Sequence, residues 1–457
     1  MASNLMKRIV FWFLLIAFVY LVAESISLVS LSIIERKTGV NRTLKLSNIQ
    51  KMMLRMFAFG GIAGFRSEEY AKFIFSYPAA DEILDSIKTV EGGAIFIKME
   101  KITDDMKKQL ADAFDELIRH TGNVAFSASL GWDTKPNFFR YTPYTETYNS
   151  DGIRSTIEYK IPKSKGTMRI AAVGDSFTHG HDVSDTDTWE YKLEEISSNI
   201  EILNFGRGFY GLGQSYLKYK EKVKKYKPDI VFIGYHDGNL LRDINRFRYF
   251  YSPRNLFIPT APRFKVSEGR LVLIPNPIQD RKDYLRLIKE EEDFLDSIGQ
   301  DDFFYSRFNY PDISDFSFTI KLLKGICRTV WRKNHETPIY RNRVYNKQAE
   351  PYKVVAAIFD SFYAEVISDK AIPIILMLPS HKSIKMFRKE QIRIYQPLLD
   401  YFDDKNMQHI DLLDGFDTFG ANSDVGDFFS GHYTPYGNEI VAKTIKRRLV
   451  QNGLISP

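Results

Sequence analysis

"MRIAAVGDSFTHG", residues 168–180, carries small and β-branched apolar side chains as far as Val173, then Gly-Asp-Ser, then short polar residues. The apolar half suits a buried strand, Gly174 lets the backbone turn, and Asp175 and Ser176 are residues that begin helices. Ser176 therefore falls at the carboxyl end of a strand and in the first turn of a helix. There it is expected to be exposed, with free N–H groups and the positive end of the helix dipole favouring negative charge. Asp and Ser also serve turns and caps for purely structural reasons, so the tripeptide alone assigns no chemistry.

Outward from this stretch the pattern repeats. Short apolar runs occur at 168–174, 200–206 ("IEILNFG"), 228–235 ("PDIVFIGY"), 372–378 ("IPIILML") and 407–413 ("MQHIDLL"). Segments of helical period such as "TWEYKLEEI" and "SYLKYKEKVKKY" separate them. Such alternation predicts an α/β fold, a three-layer αβα sandwich around a parallel five-stranded sheet, with ligands beyond the carboxyl ends of the strands. Residues from about 245 to 350 break the rhythm with charged and aromatic material and read as an insertion, a lid or substrate rim.

The 457 residues carry 63 basic and 57 acidic side chains, net +6. The basic run "KEKVKKYK" at 220–227 reads as a solvated helix face, so nucleic acid is not an expected partner. A single cysteine, Cys327, excludes an intrachain disulfide and a cysteine-based zinc site, and no cofactor is implied. His179, His181 and Asp182 in "HGHD" have metal-ligand chemistry, but two-residue spacing in a loop without further ligands favours rim residues over a metal site. Trp189 reads as a helix-packing residue rather than a sugar platform.

At the N-terminus, "MKRIVFWFLLIAFVYLVAESISLVSLSII" (6–34) has two basic residues, an apolar run and one Glu24. Ile9 to Ala23 alone would reach about 22 Å as a helix, short of a ~30 Å hydrocarbon core, whereas continuation to Ile34 would span it. The reading is an uncleaved single-pass anchor over residues 1–37, in preference to a cleaved signal, with the main domain extracytoplasmic. Glu24 is placed at headgroup level or against a partner. Residues 38–130 read as a juxtamembrane and lead-in region, including an apolar stretch at 48–65 and a helix at 104–120, and 131–457 as the main domain.

Four ordered pieces, "GDSFTHG" (174–180), "LNFGRGFYGLGQ" (203–214), "PDIVFIGYHDGN" (228–239) and "GHYTPYGNEIVAKTI" (431–445), together resemble the blocks of the SGNH (GDSL) hydrolase superfamily. Upstream, "LGWDTKPN" and "YNSDGIRS" look like the lead-in of membrane-associated or exported members that act near cell-surface polysaccharides. The resemblance implies an SGNH/flavodoxin-like sheet and serine-mediated cleavage or transfer of an O-acyl group, acetyl in the first place, on an acylated surface glycan or other ester. A membrane-bound O-acyltransferase or polysaccharide assembly protein is the implied partner.

By that resemblance Ser176 is the nucleophile and His432 the base that takes its proton. The oxyanion donors are the Ser176 amide, an amide near Gly208, and Asn239. Two departures stand out in the donor blocks. Phe209 occupies the usual donor-glycine position, and His236 occupies the asparagine position of the third block, with Asn239 preferred as the donor. The last block puts Phe429 where an aspartate is usual. Asp427, beside Asp424, is the expected orienting acid, and a Ser-His dyad is the alternative. Two rival readings are a catalytically lapsed scaffold and a lipid or thioester hydrolase whose acyl chain lies along residues 46–64.

Overall fold

The computed structural model describes residues 12, 15, 18–30, 88–89, 95–96, 123–141, 143–251, 259–280, 283–305, 317–320, 322–324, 326–327 and 338–457. The chain divides into two compact units. One comprises residues 1–46 and 291–338, the other 47–290 and 339–457. The apolar stretches at 46–65 and the helix expected at 104–120 lie outside the described residues. The insertion expected over 245–350 is shared between the units.

The larger unit is built on five parallel strands, β1 (Met168–Val173), β2 (Ile200–Asn204), β3 (Ile230–His236), β4 (Ile372–Leu378) and β5 (His409–Asp411). Their order across the sheet is β5-β4-β3-β1-β2. Ile170 pairs with Ile230 on one side and with Ile202 on the other, and Ile372 also pairs with Ile230. All five apolar runs expected from the sequence contain strands; β3 and β4, inside the sheet, are apolar on both faces as burial from both sides requires, whereas the edge strands β2 and β5 also carry Glu201, His409 and Asp411.

Period-two alternation sends the side chains to two cores. Ile170, Ala172, Phe232, Ile374 and Leu376 point to one face with Trp189, Phe416, Val441 and Ile445. That face is covered by α2 (Trp189–Glu195), α5 (Leu413–Thr418) and α6 (Pro435–Gln451). Trp189 is fully buried, its ring 6.1 Å from that of Phe232, so it packs a helix as expected. The opposite face carries Tyr235, whose ring meets Phe359 of α4 (Glu350–Ser368) edge-on at 5.5 Å, and α3 (Leu212–Lys218) lies beside α4. Each fully buried Ile, Leu or Phe contributes roughly 1.5–3 kcal/mol relative to exposure. The first half of the insertion forms a hairpin, Arg263–Ser267 with Arg270–Ile274, tied to this body by the guanidinium of Arg263 on the Ile244 carbonyl and the Glu350 carboxylate.

The strand order reverses direction between β1 and β3, and crevices for ligands open at such a point, beyond the carboxyl ends. The segments following β1, β2 and β3 carry Ser176, Gly208 and Asn239, respectively.

In the smaller unit the expected membrane anchor is corrected. Among the described residues no helix is long and apolar enough to cross a membrane. The continuous described helical stretch is 18–30, about 20 Å at 1.5 Å per residue. Glu24, expected at headgroup level or against a partner, lies within it and is bonded within this unit. Its carboxylate accepts from the Ser317 hydroxyl at 2.6 Å and from the backbone N–H groups of Phe318 at 2.6 Å and Thr319 at 3.3 Å, capping the helical residues that begin at 318. Ser27 and Thr319 join hydroxyls at 3.1 Å. The single-pass localisation, the membrane as a partner, the membrane-anchored mechanism and the tie to a membrane-bound O-acyltransferase rested on that anchor, and fall with it.

Candidate active site

β1 ends at Val173 and the chain enters a one-turn helix, α1 (Ser176–His179). The turn demands glycine at 174: a Cβ there would stand 2.0 Å from Thr178 Oγ1 and 3.0 Å from the Gly234 carbonyl oxygen. Asp175 caps α1 by accepting from the Phe177 N–H at 2.9 Å. Its other oxygen accepts from Asn239 Nδ2 at 3.0 Å and Arg242 Nη1 at 3.3 Å. Gly180 ends α1 in the left-handed conformation, φ 76°, its N–H returning to the Ser176 carbonyl.

Ser176 is only 6% exposed, less than expected. The turn is walled on one side by Gly206, where a Cβ would come within 2.3 Å of the His179 nitrogen. On the other side the Phe177 ring lies 5.0 Å from that of His432. Two residues some 250 positions apart in the sequence thus reach the same end of the sheet. Among the described residues no hydrogen bond joins Ser176 Oγ to the imidazole.

The carboxylate on that imidazole is Asp182. His432 Nδ1–H donates to Asp182 Oδ2 at 2.7 Å, leaving Nε2 as the acceptor nitrogen. Asp427, the acid expected from the sequence, is used locally: its carboxylate accepts from the Asp424 N–H at 3.0 Å in a reciprocal cap of the 3-10 turn Val425–Phe428. Asp182 Oδ1 also accepts from Tyr144 Oη at 3.2 Å. Burial pushes the Asp182 carboxyl up, but the hydrogen bond from His432 and the neighbouring groups outweigh it and hold the carboxyl at about 2. Asp182 is an anion at neutral pH.

His179 and His181, expected at a rim, are both buried. His179 Nε2 meets Tyr148 Oη at 2.6 Å and lies 3.3 Å from Glu146 Oε1. Burial lowers its imidazole to about 3, against the opposing hydrogen bond to Glu146, so it is neutral. Burial, reinforced by His432, likewise keeps His181 well below its usual value. Its ring is 4.9 Å from that of His432.

The second block supplies the loop between β2 and α3. Gly208 has open space where a Cβ would lie, and its carbonyl accepts from Trp132 Nε1 at 3.0 Å. Phe209, at the position where glycine is usual, holds φ 68°, so the turn keeps the left-handed shape at a cost of roughly 1–2 kcal/mol. Asn239 is 1% exposed and spends one amide hydrogen on Asp175. His236 stacks on Phe177 with centroids 4.1 Å apart and planes 10° from parallel. Its Nδ1 accepts from the Gly238 N–H, and burial holds the imidazole below its usual value.

Neither a protein-family model nor a curated protein matches the sequence. Solved structures do. A member of the lipolytic protein G-D-S-L family from Veillonella parvula is similar at 12% identity and TM-score 0.31, covering 62% of this chain and 100% of its own. An acetylxylan esterase from Geobacillus stearothermophilus is similar at 12% identity and TM-score 0.31, covering 63% and 96%. Likeness of this degree says nothing about chemistry, which has to come from the residues themselves.

Asp182 is the site residue that sequence reasoning missed. It was visible in "HGHD" as a possible metal ligand, and the signal pointing elsewhere was Gly180, a helix stop that turns the chain back within two residues of the acid.

Proposed function

We propose that this chain is a serine hydrolase acting on carboxylic esters, with Ser176 as nucleophile, His432 as base and Asp182 as orienting acid. The observation that carries this reading is the 2.7 Å contact of Asp182 with His432 Nδ1, beside the turn that holds Ser176 at the carboxyl edge of the sheet. In the reaction, His432 Nε2 takes the Ser176 hydroxyl proton as Oγ attacks the ester carbonyl. The same nitrogen returns that proton to the leaving alkoxide, and water then releases the acyl group from Oγ by the reverse sequence. Asp182 keeps the proton on Nδ1 and stabilises the imidazolium without itself becoming protonated, consistent with its lowered proton affinity. The N–H of Ser176 ahead of the first intrahelical bond, the Gly208 amide and the remaining Asn239 amide hydrogen are the proposed oxyanion donors.

The test is hydrolysis of p-nitrophenyl acetate by the full chain beside Ser176→Ala, together with labelling of the wild type by a fluorophosphonate. Ser176-dependent turnover and a single label on Ser176 are expected. Equal rates for the two proteins end the hydrolase reading. One observation favours a second reading, a catalytically lapsed scaffold: Ser176 Oγ lacks a hydrogen bond to His432. Catalytic hydrogen bonds are often long in the absence of substrate and tighten in the complex, so the hydrolase reading is preferred.

A further inference from the structure

Asp182 sits in a demanding place. It holds φ 67°, a left-handed backbone that is uncommon outside glycine and that aspartate tolerates better than most side chains. Gly180 before it is also left-handed, so the segment 179–185 is a tight reversal with several carbonyls turned inward. Inward carbonyls need donors, and an aspartate needs a fixed backbone if its Oδ2 is to stay 2.7 Å from a ring nitrogen on a distant segment.

One side chain supplies both. The Arg154 guanidinium is 1% exposed and lies under this reversal. Nη1 donates to the carbonyls of His179 (2.8 Å) and Gly180, and Nη2 to those of Val183 (2.7 Å) and Thr145 (3.4 Å). Nε donates to Asp185 Oδ1 at 2.9 Å. A guanidinium has five N–H donors, and here five acceptors take them. Three belong to residues on either side of Asp182, one to the Asp185 side chain just beyond, and one to Thr145, the residue after Tyr144. Arg154 is itself anchored to the sheet, its N–H on the Asn204 carbonyl at the end of β2 at 3.0 Å.

We infer that Arg154 is the positioning residue of the site: it fixes the 179–185 reversal to the end of β2 and thereby holds Asp182 on His432. The inference rests on the triad proposed above but concerns its geometry, so it can be read without turnover. Lysine cannot substitute, because its ammonium offers three donors from one point where five directions in a plane are needed.

The experiment uses the full chain and proton NMR of the downfield imidazole N–H that a His-carboxylate hydrogen bond protects from exchange, assigned to His432 by its loss in His432→Gln. Wild type shows the signal and Asp182→Ala does not. Arg154→Lys, with a cooperative thermal transition confirming a folded protein, is expected to lose it or broaden it beyond detection. On p-nitrophenyl acetate Arg154→Lys is expected to lose at least tenfold in kcat with KM within about twofold, and Arg154→Lys with Asp182→Ala to be no slower than Asp182→Ala alone. A signal that persists in folded Arg154→Lys overturns the inference. Should Arg154→Lys not fold, Asp185→Asn removes only the charged partner of Nε. Faster exchange of the His432 proton in that variant supports the inference, and an unchanged rate overturns it. A chain without esterase activity would refute the proposed reaction while leaving the NMR result to decide the role of Arg154.

Discussion

Exchanging Asp182 for asparagine tests which acid serves His432. Its carboxyl is held at about 2 rather than the ordinary 3.8, a difference of about two units or roughly 2.5 kcal/mol at 1.36 kcal/mol per unit. That sum is shared among His432, His181 and Tyr144 and is screened by solvent around a partly exposed pair, so on the order of 1–2 kcal/mol is a fair value for the contact. Acting on the imidazolium of the transition state alone, this slows turnover about tenfold. Asparagine does more harm than charge removal, because its amide N–H faces Nδ1 and favours the tautomer with the proton on Nε2. That nitrogen can then no longer accept from Ser176, and the expected loss in kcat rises to about 10²–10⁴. Asp427→Asn, which disturbs only the cap around Asp424, is expected to stay within about twofold of wild type. The assay is steady-state hydrolysis of p-nitrophenyl acetate, with circular dichroism to check folding. Asp182→Asn retaining half the wild-type rate, or Asp427→Asn failing to the same degree, would refute the assignment.

Gly174→Ala places a Cβ 2.0 Å from Thr178 Oγ1 and 3.0 Å from the Gly234 carbonyl. Urea unfolding should show about 2–3 kcal/mol of lost stability, with Thr178→Ala in the same chain restoring only part because the Gly234 contact remains. Asn239→Ala is expected to reduce kcat about 10²–10³-fold with little change in KM if its amide is an oxyanion donor, and an effect confined to KM would remove it from that role. Asp243 accepts from the Gly213 N–H at 2.9 Å, and burial raises its carboxyl from 3.8 to about 7. The native state therefore keeps a proton that the unfolded chain releases, and stability falls as pH rises from about 4 to about 7. Over that window Asp243→Asn should lose up to a few kcal/mol less than wild type in parallel denaturant titrations, and identical slopes would contradict the burial argument.

The sheet was legible because its signals are local. Five apolar runs with β-branched residues, each bounded by a turn or a charged helix, become the five strands, and Gly174 marks the joint where Ser176 stands. The place of His432 was also legible, since Thr434 and Pro435 behind it announce a helix start. The carboxylate that contacts it was not. Asp427 and Asp182 are equally plain as letters, and what separates them is that the first closes a local turn while the second is swung into place by Gly180 and Arg154. Ring contacts among Phe177, His236 and His432 are likewise long-range and leave no periodic trace. At the N-terminus, apolar composition suggested a span. The cap formed by Glu24 on residues 317–319, nearly 300 positions away, could not be read from spacing.

The serine and the acid lie six residues apart on one reversal, whereas the imidazole comes from the far end of the chain, 250 residues beyond Asp182. On a ribosome adding about 5–20 residues per second, the first two emerge together and wait roughly 10–50 s for the third. On the proposed reaction, a nascent chain therefore carries an inert hydroxyl until the segment bearing His432 has emerged and docked. A separately supplied C-terminal segment bearing His432 should, by the same token, be able to switch on a chain that stops short of it.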